Sequence, residues 1–467
     1  LAERSTQWER GDDPLTQCDP VQGGTEEVQI RGNRIGTDYA GTAALPNASG
    51  GIDIVAAWNT VIGSVDAGNL ISGNASTGVD VQFEGLLTLV GNRIGSTADG
   101  MAALPNQGRG IWVRDARTGA VIGAADHGAW TCNRACNLIA GNTGAGIELN
   151  TLTLGAHQVV GNFIGTRIDG AAALANHTGI QTSESAQIGG AAAGEGNLIS
   201  GNIGHGILAT AGALTALGNR IGSNAAGSAA VPNSMDGIHT GSARVDFSIG
   251  DVGVGNLIAG NGDDGIEVDQ VSASSFPAQS IRANSIGTTP GGTCLGNAGH
   301  GIYLANTAFA EIGGTAAGSG NRIACNGADG YASASSSAAT AVLGNSFYGN
   351  GGLAIDIDDD GVTPNDPGDG DPWRDNYPTI ASAVQNGANA LVQGLDAAAN
   401  ANFRLEFFSD SSCDASGYGE GRNYLGFVAV GTDAKGHANF SASLPGVVAG
   451  QKLSATATIL IGSEPFL

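Results

Sequence analysis

The 467-residue chain carries a formal net charge of −24, from 43 acidic and 19 basic side chains, and contains 78 glycines. Apolar residues reach 41% and recur periodically, which excludes a disordered chain, and glycine keeps no three-residue period, which excludes collagen. The acidity, with Lys435 and Lys452 as the lysines, excludes nucleic acid and anionic lipid as expected partners and leaves neutral glycans, cationic partners and divalent metal ions.

Residues 1–24 read as an N-terminal extension or cap. The chain begins at Leu1 without methionine or a signal peptide, as expected of a trimmed form of a longer precursor. No stretch of about 18 apolar residues is present, so no membrane span is expected.

From residue 25 to 355 a repeat dominates. Asn33-Arg34-Ile35-Gly36 predicts a short strand, followed by a loop over 37–47. Gly51-Ile52-Asp53-Ile54 predicts a second strand and Thr60-Val61-Ile62-Gly63 a third. Asn69-Leu70-Ile71-Ser72 then restarts the cycle. The marker residues are Ile35, Ile71, Ile94, Ile139, Ile164, Ile199, Ile221, Ile258, Ile286, Ile323 and Phe347. Each follows an asparagine at a two-residue spacing, and the two alternating phrases return with a period that signals a repeat architecture.

Three short strands per turn cannot each bury a face alone. Stacked coil on coil at about 4.8 Å, equivalent isoleucines form an inner ladder. The repeated asparagines, among them Asn33, Asn92, Asn162 and Asn219, are read as structural, bonding backbone at bends and one another across coils. Arg34, Arg93, Arg220 and Arg322 share an outward face with Leu70, Leu138, Leu198 and Leu257, where their stems are expected to cover the leucines. Loops over 37–47, 96–106, 166–176, 223–233 and 288–297 leave the same corner on alternate coils and are expected to stack into a ridge.

Of the six cysteines, Cys132 and Cys136 are placed to bridge locally, and Cys294 and Cys325 to staple neighbouring coils. Zinc would want tighter pairs, so disulfides in an exported protein are expected. Cys18 and Cys413 are not expected to pair with each other.

Residues 356–376 form an acidic Asp/Pro/Gly linker. Asp356, Asp358 and Asp360 alternate before Gly361, a pattern that suits a structural calcium ion. The bidentate glutamate of such loops is replaced by Pro367, with Asp366 or Asp369 as substitutes; a solvated acidic linker is the other reading. Over 377–467 the strands lengthen to a two-residue alternation, as in Phe403-Arg404-Leu405-Glu406-Phe407, predicting a small antiparallel, immunoglobulin-like β-sandwich.

The G-N-x-I-G phrases, the L-P-N loops (Leu45-Pro46-Asn47, Leu104-Pro105-Asn106) and the I-G-G…G-N-L-I-S-G-N run over 188–202 resemble bacterial exported proteins with right-handed parallel β-helix repeats. The resemblance covers residues 25–355 and implies a right-handed coil of about eleven turns, a C-terminal sandwich tail and a secreted or cell-surface location. Cys413 and Gly419-Glu420-Gly421 match the usual wording of such tails. The fold hosts lyases, hydrolases, epimerases, adhesins and spacers, so it implies no activity.

Candidate chemistry lies on one outer face. The middle residue of each G-I-x-I strand points outward: Asp53, Asp80, Trp112, Glu148, Gln181, Leu208, His239, Glu267 and Tyr303. Beside them stand Gln82, Arg114, Asn150 and Asp269. Asp80, Gln82, Trp112, Arg114, Glu148, Asn150, Gln181 and Tyr303 are the candidate saccharide-binding residues, with aromatics to stack on rings and amides to bind hydroxyls. The bland alternative is a solvated sheet face. Asp80, Arg114, Glu148, His239, Glu267 and Asp269 are candidate catalytic groups, because a lyase or epimerase needs a base and a neutraliser for the sugar carboxylate. The other histidines, including His205 and His300, show no metal-ligand spacing in sequence. The expected function is a binding or spacing protein that recognises extended polysaccharide or cell-surface glycan; the alternative is a polysaccharide lyase or epimerase in the same groove.

Overall fold

The structure is a computed structural model that describes residues 28–465, apart from 56, 83–84, 115–117, 126–129, 151–154, 242–244, 270–278, 307, 335–337, 366–375, 387–388, 394, 397–398, 439 and 462–463. Among these residues no helix occurs. Three parallel sheets of eleven strands each take every third strand of the chain. Sheet 1 begins with Val28–Ile30, sheet 2 with Arg34–Ile35 and sheet 3 with Ile52–Val55. The protein is therefore all-β, a parallel β-helix with three strands per coil, consistent with right-handed winding.

The chain divides into two compact units, one of residues 1–246 with 260–262 and one of 247–259 with 263–467. In the first, Ile71, Ile94, Ile139, Ile164, Ile199 and Ile221 lie in successive register and are fully buried. Ile35 opens that ladder, half-buried. In the second, Ile258, Ile286, Ile323 and Phe347 repeat the arrangement. Each buried isoleucine stabilises the stack by about 1.5–3 kcal/mol relative to exposure.

The asparagines do what their repetition predicts. From Asn33 through Asn69, Asn92, Asn137, Asn162 and Asn197 to Asn219, each Nδ2 donates to the next Oδ1 at 2.9–3.1 Å. Most also donate to a buried backbone carbonyl, as Asn162 does to Ile122. A second ladder alternates Asn74, Asn142 and Asn202, which lie outside the loops, with the loop residues Asn106, Asn176 and Asn233. Between coils the backbones approach so closely that a Cβ on Gly123 (φ +92°) would stand 1.9 Å from the Val160 carbonyl oxygen. Only glycine fits there.

The alternate loops stack into a ridge: Ala98 N–H donates to Gly41 O, Ile168 to Gly100 and Ala225 to Gly170. Their position alters the expectation for the leucine face. Leu138, Leu198 and Phe163 are buried beneath loop residues Ile168, Leu174 and Ala225 together with Cys132, Cys136 and Trp130. Leu138 and Leu198 thus have loop cover that the sequence did not lead one to expect. Arg220 lies over the Trp130 ring at 4.1 Å, and burial pushes its pKa down to about 10.

Both expected disulfides are present, Cys132–Cys136 and Cys294–Cys325. Cys413 is a free, exposed thiol, and Cys18 lies outside the described residues.

After the coils, strand Asn402–Asp410 pairs antiparallel with Asn423–Gly431 and with Lys452–Ile461. A three-stranded antiparallel sheet, Ser382–Asn386, Asn389–Gln393 and Ala442–Pro445, contributes Ala442 and Leu444 to the same core as Phe403, Leu405 and Phe407. This part closes the edge of the last coil. Phe347 and Gly421 exchange backbone hydrogen bonds at 3.0 and 3.1 Å, and Glu420 accepts the N–H groups of Gly349 and Asn350. An open sheet edge is thereby paired.

Candidate functional site

On the outer face of sheet 3 the middle residues align as expected. Asp53, Asp80, Trp112, Glu148, Gln181, Leu208 and His239 pair in unbroken register in the first unit. In the second, Glu267, Tyr303, Ala332 and Asp356 do the same. Asp356 therefore sits in the last strand of the sheet, Ile355–Ile357, so the coil runs into the acidic segment.

Around Trp112 the face is tightly organised. Arg114 makes a bidentate pair with Asp80 at 2.9 and 2.8 Å. Arg109, from the corner before the strand, pairs with the buried Glu148, with Nη2 3.1 Å from Oε1. Both guanidiniums lie over the Trp112 ring, 4.1 Å from its centroid. The indole Nε1 donates to Asn150 Oδ1 at 2.8 Å, and Asn150 Nδ2 donates to Glu148 at 2.9 Å. Six side chains from three coils thus form one network, with Gln82 in register beside Arg114. Burial pushes the Asp80 pKa up, against the opposing pull of Arg114. A saccharide placed here meets a composite of indole and guanidinium rather than a bare ring.

The sequence reading names Asp80, Trp112, Arg114, Glu148 and Asn150, and the structure brings all five together. It misses Arg109, which holds the network's other end. The readable signal is the residue before each G-I-x-I strand, which follows its own stack: the carbonyls of Arg109, Ala145, Thr178, His205 and Asp236 accept the N–H groups of Gly78, Gly110, Gly146, Gly179 and Gly206.

That corner also brings together histidines that show no ligand spacing in sequence, because neighbours in a coil are set by stacking. His205 and His239 both present Nδ1 to Oδ2 of buried Asp236 at 3.0 Å, with their rings stacked at 4.6 Å. In the second unit, His300 stands beside Asp329 at 3.2 Å and Asp359 at 3.8 Å, with Tyr303 stacked on its ring at 5.3 Å. Burial, then the acids Asp359, Glu267, Asp264 and Asp269, push the Tyr303 pKa up. Glu267 stands opposite Tyr303, and Asp269 accepts a hydrogen bond from Asn306 at 2.9 Å.

In the acidic turn, Asp358 (φ +78°), Asp359 (φ +53°) and Gly361 (φ +89°) take left-handed backbone. Asp356 Oδ2 accepts the Gly361 N–H at 3.0 Å, while its Oδ1 is buried without a hydrogen-bond partner. Burial pushes the Asp356 pKa up. Among the described residues, the ligand atoms that gather within 4.8 Å here belong to His300, Asp329 and Asp359; Asp356, Asp358 and Asp360 form no such group. Asp366 lies outside the described residues.

No described helix is long and apolar enough to cross a membrane. No family model matches the chain, and no curated protein matches it. A tailspike double mutant of E. coli bacteriophage HK620 in complex with a pentasaccharide is similar to it at TM-score 0.27 and 12% identity, over 94% of this chain and 75% of that one. A tailspike protein of Acinetobacter baumannii bacteriophage Fri1, a capsular polysaccharide depolymerase, is similar at TM-score 0.22 and 11% identity, over 89% and 78%. Likeness at this level carries no functional argument, and the fold rests on the strand pairing.

Proposed function

We propose that the protein is an exported or cell-surface β-helix protein that recognises extended polysaccharide along the outer face of sheet 3, centred on Trp112. The observation that carries this reading is the Asp80–Arg114–Trp112–Arg109–Glu148–Asn150 network. It holds an aromatic ring in place and offers amide and paired charged groups at coil spacing, as hydroxyl-rich ligands require. Each cation there already faces its own carboxylate, and the chain's net charge is −24, which favours a neutral glycan over a polyanion. The same pairing weighs against the lyase or epimerase alternative, whose uronate would need an unneutralised cation. Two disulfides support an oxidising compartment. A structural calcium at the acidic turn would have to draw Asp358 and Asp360 towards the buried Asp356 Oδ1, because the three carboxylates do not converge in this structure.

A glycan array tests the reading. Wild-type protein is expected to be retained on neutral extended glycans, and Trp112→Ala to lose that retention while keeping its circular dichroism spectrum. Absence of retention, or retention unchanged in Trp112→Ala, refutes it. Unsaturated product from uronate polysaccharides that disappears in Arg114→Ala replaces it with the lyase reading.

A further inference from the structure

We infer that His205, Asp236 and His239 form a binding site for one divalent transition-metal ion of the zinc class. His205 and Asp236 occupy the same corner on adjacent coils, and His239 is the outward residue of the strand that follows Asp236. The coil stack thus assembles three ligand atoms, two imidazole Nδ1 and one carboxylate oxygen, all within 4.8 Å of one another.

The distances fit a metal. Each Nδ1 lies 3.0 Å from Asp236 Oδ2. Ligand atoms at the edge of a tetrahedral zinc site with bonds of 2.0–2.1 Å are about 3.3 Å apart, so each nitrogen–oxygen pair needs to open by only about 0.3 Å around an ion. The hydrogen bonding also leaves room for a cation. His239 Nδ1 is hydrogen-bonded to Asp236 Oδ2, whereas His205 Nδ1, equally close to that oxygen, is buried and makes no hydrogen bond. A nitrogen lone pair and a carboxylate oxygen at 3.0 Å repel each other unless a proton or a metal ion lies between them, and the observed geometry supplies no hydrogen bond. An ion satisfies both nitrogens and the carboxylate together.

Two imidazoles with one carboxylate select zinc-class ions over calcium, which takes oxygen ligands. Three protein ligands leave a fourth position for water, the pattern of a zinc site with an open coordination position.

The test is zinc titration of EDTA-stripped protein by calorimetry, with bound metal counted after gel filtration. One equivalent is expected in the wild type, with affinity at least about tenfold weaker in His205→Ala or His239→Ala, a change of about 1.4 kcal/mol. Calcium is expected not to compete. Cobalt(II) added to the unmodified protein provides a readout that needs no variant: visible absorption of nitrogen–oxygen tetrahedral coordination is expected. Absence of zinc uptake or of cobalt absorption overturns the proposal, as does an equivalent that persists unchanged in the His205→Ala/His239→Ala double variant. None of these readouts depends on whether sheet 3 binds a saccharide.

Discussion

The inward-facing His157 gives the sharpest pH prediction. Its side chain is fully buried in strand His157–Val159, Nδ1 accepts the Ala120 N–H at 3.1 Å, and Nε2 has no hydrogen-bond partner. Burial pushes its pKa from 6.5 down to about 4. The unfolded chain therefore binds a proton at a pH where the folded chain does not. The stability is whole above pH 6.5 and drains away as pH falls towards 4. Between about pH 7.5 and about pH 4.5 the loss from this one group is about 2.5 kcal/mol. His157→Asn keeps a polar group near the Nδ1 position but cannot take up the proton, so its loss over that interval is expected to be smaller by this amount. Urea unfolding of both proteins at the two pH values measures the difference, and all other titrations cancel to first order. Equal losses in the two proteins, or an NMR titration of His157 near 6.5, refute the reasoning.

Asn162→Ala removes a side chain that bonds Asn137, Asn197 and the Ile122 carbonyl, leaving buried groups unsatisfied. A loss of about 3 kcal/mol or more is expected in urea unfolding. Removing Cys294–Cys325, which closes a 31-residue separation, is expected to cost about 3.5 kcal/mol, against about 2 for Cys132–Cys136 with its separation of 4; paired Cys→Ser variants and thermal melts check that order. Glu420→Ala loses two charge-assisted hydrogen bonds, and is expected to release the Gly349 and Asn350 amides by about 2 kcal/mol in hydrogen exchange. If calcium binds the acidic turn, EGTA lowers the melting temperature; an unchanged melt refutes that assignment.

Much of the fold was legible because a coil repeats its constraints. Ile94 is inward for the same reason as Ile139, and Asn92 bonds Asn137 because every bend poses the same orphaned groups. Two-residue alternation was enough to place Asp80, Trp112 and Glu148 on one face. The corner was harder to read. Arg109, His205 and Asp236 precede a glycine, where the chain turns and alternation stops, so their direction follows only from the stack. The contact of Arg109 and Arg114 with Trp112 depends on side-chain reach, which carries no periodic signal. The cover over Leu138 and Leu198 comes from loops whose small residues read as spacers. Asp356 read as linker because the G-I-x-I phrase fades to Ala354-Ile355-Asp356-Ile357 in the last coil.

The reading of the outer face is tested most directly by a crystal structure of the protein with whichever neutral oligosaccharide the array retains best. Saccharide density running across strands Val79–Gln82, Ile111–Arg114 and Ile147–Asn150, in contact with the Trp112 network, is the predicted result. Density on the loop ridge or the C-terminal sheets, with that network untouched, contradicts it.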